Sequence, residues 1–236
     1  MLPLKQSVHE MLGLSLSSEQ LEAFENYSRE LASWNQRISL TTISDPNEVR
    51  SKHFLDSLSC WLALRGTRVD RVIDVGSGAG FPGLPLKILH PEIHLTLVES
   101  VGKKAAFLKH MVQVLGLSGV EVLNARVEDL GQADENREAY DWALARALAA
   151  MPALSEYLLP LVRIGGFMLA QKGLAAPQEM EKAESAITLL GGGMPRLLNV
   201  ELPEMDETRY LVISEKIAQT PEKYPRRVGI PAKRPL

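Results

Sequence analysis

The chain has 236 residues, of which 45% are hydrophobic and 23% charged, and a formal net charge of −3. That balance excludes a disordered chain and a protein coated in positive charge, but not a local basic face. No run approaches the ~20 apolar residues of a membrane-spanning helix, and Met1-Leu-Pro-Leu-Lys5 is not followed by a signal-peptide apolar region, so no membrane partner and a cytoplasmic location are expected.

The front of the chain reads as helical. Ser17-Ser18-Glu19 supplies helix-start chemistry, and Leu21, Phe24, Leu31 and Trp34 then recur at helical spacing. A second helix is expected after Asp45-Pro46. Its apolar positions Val49, Leu55, Leu58 and Leu62 point to a core, while Arg50, His53 and Ser57 share another face. Cys60, the only cysteine, rules out an intrachain disulfide or a cysteine-based zinc cluster; among Leu58, Trp61 and Leu62 it reads as a packing residue.

Residues 71–83 carry the strongest local signal: an apolar strand ends in Asp74 and runs into Gly76, Gly78 and Gly80. Residues without a Cβ let the main chain turn with positive φ and let a ligand approach it closely. A helix beginning near Pro82 to Pro85 aims its free N–H groups at this loop. The next strand, 93–98, ends at Glu99, near the distance of about 20 residues expected of an acid that binds ribose hydroxyls. Together these features point to an adenosine-type ligand without naming it.

Strand and helix then alternate. A helix is expected over 103–115, strands over 120–124, 140–144 and 166–170, and helices near 150–162 and 176–190. Such alternation predicts a mostly parallel sheet covered on both faces. Arg196 to Leu202 and Tyr210 to Glu215 read as two more strands, joined by the short Pro203 to Thr208 loop and close enough to pair antiparallel. A dehydrogenase needs a second nucleotide-binding half instead. The terminal hairpin favours an S-adenosylmethionine-dependent methyltransferase, with a nicotinamide-dependent oxidoreductase and a noncatalytic RNA-binding protein as alternatives.

Several blocks together resemble the ribosomal RNA small subunit methyltransferase G family, also called glucose-inhibited division protein B. They are Trp34-Asn35 with Leu40-Thr41, His53-Phe-Leu-Asp56-Ser57-Leu58, Asp74 to Gly83, Glu99 to Leu108, Arg126-Val127-Glu128, Arg146-Ala147, Lys172-Gly173 and Tyr224 to Leu236. The chain departs from the family at Ser39, where asparagine is usual, and at Ala145, where serine is usual. The resemblance implies a Rossmann-like α/β methyltransferase fold with an N-terminal helical extension. It also implies S-adenosylmethionine as cofactor, no metal, and N7 of a guanine in 16S rRNA or the small ribosomal subunit as target. By resemblance, Gly76, Phe81, Val127, Glu128 and Arg146 contact the cofactor.

A ring nitrogen with a lone pair needs no base to deprotonate it, and no Asn-Pro-Pro-Tyr segment of the kind that serves exocyclic amines follows the fourth strand. Arg146, just after that strand, is the candidate catalytic residue, placed to bond guanine O6 or to hold the methionine carboxylate. Cofactor candidates are thus Gly76, Gly78, Phe81, Glu99, Val127, Glu128 and Arg146. Basic candidates for RNA are Arg50, His53, Arg126, Lys172, Arg226 and Lys233. The expected division is a helical cap over 1–66, a methyltransferase domain over 67–217 and a basic, proline-rich tail over 218–236, extended rather than helical.

Overall fold

The computed structural model describes residues 3–203 and 208–236. Its centre is a seven-stranded sheet in the order β3-β2-β1-β4-β5-β7-β6, comprising β1 (Arg71–Val75), β2 (His94–Val98), β3 (Val120–Leu123), β4 (Tyr140–Arg146), β5 (Val162–Lys172), β6 (Arg196–Val200) and β7 (Arg209–Glu215). The first five strands run parallel, β7 is antiparallel to β5, and β6 is antiparallel to β7. The terminal hairpin expected from the sequence is therefore present. Residues 204–207 of the expected connecting loop lie outside the described residues.

Period-two alternation sorts the strand side chains onto two faces. Val72, Leu95, Leu97, Trp142, Leu144 and Leu169 pack on one face with the front helices and with α6 (Gly83–Leu89) and α7 (Gly102–Val114). Ile73, Val75, Val98, Ala143, Met168 and Val212 pack on the other. That second face is covered by α8 (Val127–Leu130), α9 (Met151–Leu158) with the 3-10 turn Leu159–Leu161, α10 (Ala176–Leu189), and Tyr224 of the tail. Asp74, Arg146 and Gln171 share the parity of the first face. Arg146 and Gln171 accordingly meet the front helices, and Asp74 meets the start of α6.

The front consists of α1 (Leu4–Leu12), which the sequence pattern did not reveal, and α2 (Ser18–Asn35). Next comes a continuous helical run of α3 (Pro46–Val49), a π turn (Arg50–Leu55) and α4 (Asp56–Leu58), with α5 (Trp61–Leu64) after it. Ser17 caps α2 reciprocally with Gln20, and Asp45 caps α3 by accepting from the amides of Asn47 and Glu48. The π turn breaks the 3.6-residue period within this run. Each extra residue in a turn rotates the rest of the helix by ~100°, and the run is packed on both sides, so His53 and Ser57 are buried along with Leu55 and Leu58.

The tail also differs from expectation. It contains one helical turn, α11 (Ile230–Lys233), which starts after Gly229 in a left-handed conformation and carries Pro231 in its first turn, where the missing N–H costs nothing.

Candidate active site

The strand order reverses between β1 and β4, and ligands of parallel α/β sheets collect at the carboxyl ends of the strands at such a switch point. The glycine loop leaves β1 there and Arg146 ends β4 there.

Gly76, Gly78 and Gly80 all have positive φ. A Cβ on Gly80 would sit 2.5 Å from both Leu84 and the Tyr27 hydroxyl, so the loop is pressed against α2 and α6 at that point. Gly78 faces open space, with nothing nearer its Cβ position than the Gly76 carbonyl at 3.8 Å. Tyr27 donates to the Ala79 carbonyl and stacks on Phe81 at 5.4 Å between ring centroids. It supports the loop from α2 and was missed in the sequence; a tyrosine on the apolar face of a helix was its only signal. Beneath the loop, Asp74 is fully buried, with Oδ2 accepting from the Gly83 amide at 3.0 Å and Oδ1 without a hydrogen-bond partner among the described residues. Burial pushes its pKa up to about 7.

Two clefts open on opposite sides of this sheet edge. The first, about 80 Å³, is lined by Val75, Gly76, Arg126, Val127, Glu128 and Leu148, among others. Glu99 stands beside the glycine loop: its Oε2 accepts from the Gly78 amide at 3.0 Å and its Oε1 from the Val101 amide at 2.7 Å. Each oxygen keeps a lone pair for a hydroxyl donor. Glu128 accepts from the Gly229 amide at 2.8 Å, so its carboxylate is tied to the tail. The side chain of Leu148, 39% exposed, lies over Gly76 and narrows the cleft below the size of a nucleoside. The donor set nevertheless fits an adenosine cofactor: a carboxylate for a diol, apolar Val75 and Val127 for a purine, and glycines whose main chain a ligand can reach. Gly76, Val127 and Glu128 thus line one opening, and Gly78 and Glu99 are bonded to each other in the adjoining loop.

The second cleft, about 490 Å³, is lined by Lys52, His53, Asp56, Arg146, Gln171, Lys172 and Arg209, among others. Arg146 lies at its centre. Its Nη1 donates to the Lys52 carbonyl at 3.2 Å and to Asp56 Oδ2 at 3.1 Å, its Nη2 lies 3.2 Å from His53 Nδ1, and its guanidinium stands 4.8 Å over the Phe81 ring. His53 stacks on the same ring at 4.5 Å and meets the Thr41 hydroxyl through Nε2 at 2.8 Å. Burial, and secondarily the Arg146 charge, push its pKa down to about 4, so the imidazole is neutral near pH 7, accepting at Nδ1 and donating at Nε2. Gln171, paired with Arg146 across the β4–β5 register, donates to the Asp56 carbonyl at 2.7 Å. Asp56, Gln171 and Arg209 are site residues that the sequence alone did not single out. The His53-to-Leu58 block contained Asp56, but only the tertiary fold brings it to Arg146.

The basic candidates separate by environment. Arg126 and Lys233 are exposed, and Arg50 is half-buried. His53 is buried. Lys172 reaches Glu179 and the Ala149 carbonyl, both at 2.7 Å. Arg226 is bidentate on the buried Glu156 of α9. Among the described residues no group of His, Cys, Asp and Glu is placed to hold a metal ion, and Cys60 is buried, which pushes its thiol pKa up.

The profile of the rRNA small subunit methyltransferase G family matches residues 20–203. A ribosomal RNA small subunit methyltransferase G from Roseiflexus castenholzii is 55% identical over 224 residues, covering 95% of each chain. One from Desulforamulus reducens is 43% identical over 233 residues, covering 99% of this chain and 97% of its own. Among solved structures, an S-adenosylmethionine-dependent methyltransferase from Aquifex aeolicus superposes with a TM-score of 0.52 at 17% identity, covering 73% of this chain and 94% of its own, and so shares the fold.

Proposed function

The chain belongs to the rRNA small subunit methyltransferase G family, and from that membership we propose that it methylates N7 of a guanine in 16S rRNA with S-adenosylmethionine. The matched family and relatives are methyltransferases, which leaves the oxidoreductase and noncatalytic alternatives without support.

The observation that carries the reading is the shared wall between the clefts. Arg146 and Ala147 line the larger one, and Leu148 lines the smaller one. A cofactor held in the smaller cleft by Gly76, Gly78, Glu99, Val127 and Glu128 supplies an activated methyl group. The rest is placement. Guanine N7 attacks with its own lone pair, so the larger cleft needs no base, consistent with a His53 already engaged by Arg146 and Thr41. Arg146 is rigidly held beside Phe81, where its guanidinium reads O6 next to N7 or fixes the methionine carboxylate. Arg50, Arg126 and Lys233 are the proposed phosphate contacts, while Lys172, held by Glu179 and the Ala149 carbonyl, forms part of the wall of the larger cleft.

The test is direct. Purified protein is incubated with S-adenosylmethionine and either 16S rRNA or small subunits from a strain lacking the enzyme, and the digested nucleosides are weighed by mass spectrometry. The expected product is 7-methylguanosine, lost on Arg146→Ala. No methylated nucleoside from either substrate would overturn the assignment, and full activity of the variant would remove Arg146 from it.

A further inference from the structure

The C-terminal tail is bolted to the wall of the smaller cleft. Arg226 lays its side chain along Glu156, with Nη2 at 2.6 Å from Oε2 and Nε at 3.0 Å from Oε1, and its amide donates to the same carboxylate at 2.7 Å. Glu156 is fully buried in α9. The same guanidinium donates to the Arg234 carbonyl at 2.8 Å, closing residues 226–234 into a loop. At the apex of that loop, Gly229 aims its amide at Glu128 Oε1, 2.8 Å away. Glu128 lines the cleft proposed to hold the cofactor.

We propose that Arg226 is a positioning residue for that cofactor, holding Glu128 in place through the loop it closes. An arginine in a proline-rich basic tail is ordinarily read as a phosphate contact. Here the guanidinium is already committed to a buried carboxylate and a carbonyl, with charge-assisted bidentate geometry. Breaking the pair releases the loop, and Glu128 loses the donor that orients it. The proposal rests on the reading of the smaller cleft as the S-adenosylmethionine site.

Arg226→Gln alone leaves Glu156 buried and uncompensated, so the test uses the double variant Glu156→Gln with Arg226→Gln, and Arg226→Lys as the conservative replacement. Calorimetric titration with S-adenosylhomocysteine is expected to show affinity weakened about tenfold in the double variant and partly restored by lysine, as misplacement of a ligand-facing group predicts. KM for small subunits is expected to stay at the wild-type value. Hydrogen exchange on the wild-type protein provides a readout free of folding defects: the probe should slow exchange across residues 224–232. Wild type that binds the probe while the double variant binds it equally well, or tail exchange that the probe leaves unchanged, overturns the proposal alone. Wild type that fails to bind the probe overturns the cofactor reading and the proposal with it.

Discussion

Asp56 and Arg146, 90 residues apart in the chain, meet at 3.1 Å beneath the larger cleft. Both side chains are largely shielded from water, 7% and 17% exposed respectively, so the carboxylate fixes the guanidinium where solvent screens little. Asp56→Asn keeps an oxygen acceptor but removes the charge. Methylation is expected to fall at least tenfold as Arg146 loses its anchor, and unfolding free energy to drop by about 3 kcal/mol, the scale for breaking a buried pair. Urea unfolding and single-turnover methylation measure the two effects; a rate within twofold of wild type would show that Arg146 is positioned without Asp56.

Gly76 and Gly80 both have positive φ, yet the space around them differs. A Cβ at Gly80 meets Tyr27 and Leu84 at 2.5 Å, whereas one at Gly76 meets the end of the Leu148 side chain at 2.7 Å. Leu148 is 39% exposed and can turn away, while Tyr27 is locked between the Ala79 carbonyl and Phe81. Gly80→Ala is therefore expected to cost about 3 kcal/mol of stability, combining left-handed strain with overpacking. Gly76→Ala should cost about 1 kcal/mol but weaken S-adenosylhomocysteine binding strongly. Equal denaturation midpoints for the two variants would contradict this ordering.

The glycine loop, the parallel sheet and its closing hairpin were legible because each is written locally, in strand alternation and in residues that lack a Cβ. Arg146 was legible as the end of a strand. What escaped depended on distant partners or on a change of helical period. The face shared by Arg50, His53 and Ser57 is written in the sequence, but nothing local shows that it too is packed, burying His53 and Ser57, or that the helical period changes at Arg50–Leu55. Arg226 reads in sequence as one more tail cation. Nothing local marks Glu156, 70 residues earlier, as its partner.

Two buried groups give stability opposing pH slopes. His53 has its pKa pushed from 6.5 to about 4 by burial first and the Arg146 charge second. Between those values the unfolded chain binds a proton there that the folded chain does not, so stability is lost as pH falls through the window. Asp74 is raised by burial from 3.8 to about 7, so the folded chain holds a proton that the unfolded chain has released, and stability is lost as pH rises through that range. His53→Asn should therefore show an unfolding free energy that declines more steeply with rising pH than wild type between about pH 4 and 6.5. Asp74→Asn should show the reverse change in slope. Denaturant midpoints across this range decide it, and a His53→Asn profile parallel to wild type would remove His53 as the titrating group.

The tail offers Lys223, Arg227, Lys233 and Arg234 to solvent and withholds Arg226. Lys233 is exposed on α11, whereas Arg226 is held by Glu156 and the Arg234 carbonyl. A lysine on phosphate releases counterions, and each such contact contributes about 0.7 to 0.9 to the slope of log affinity against log salt. Lys233→Gln should lower that slope for small-subunit binding by about this amount, while leaving S-adenosylhomocysteine affinity unchanged. The paired Glu156→Gln and Arg226→Gln variant should do the opposite, keeping the salt slope and weakening cofactor affinity, because in the wild type Arg226 already faces a carboxylate. Filter binding at a series of salt concentrations separates the two. If the paired variant flattens the salt dependence as Lys233→Gln does, Arg226 leaves Glu156 to contact RNA in the complex.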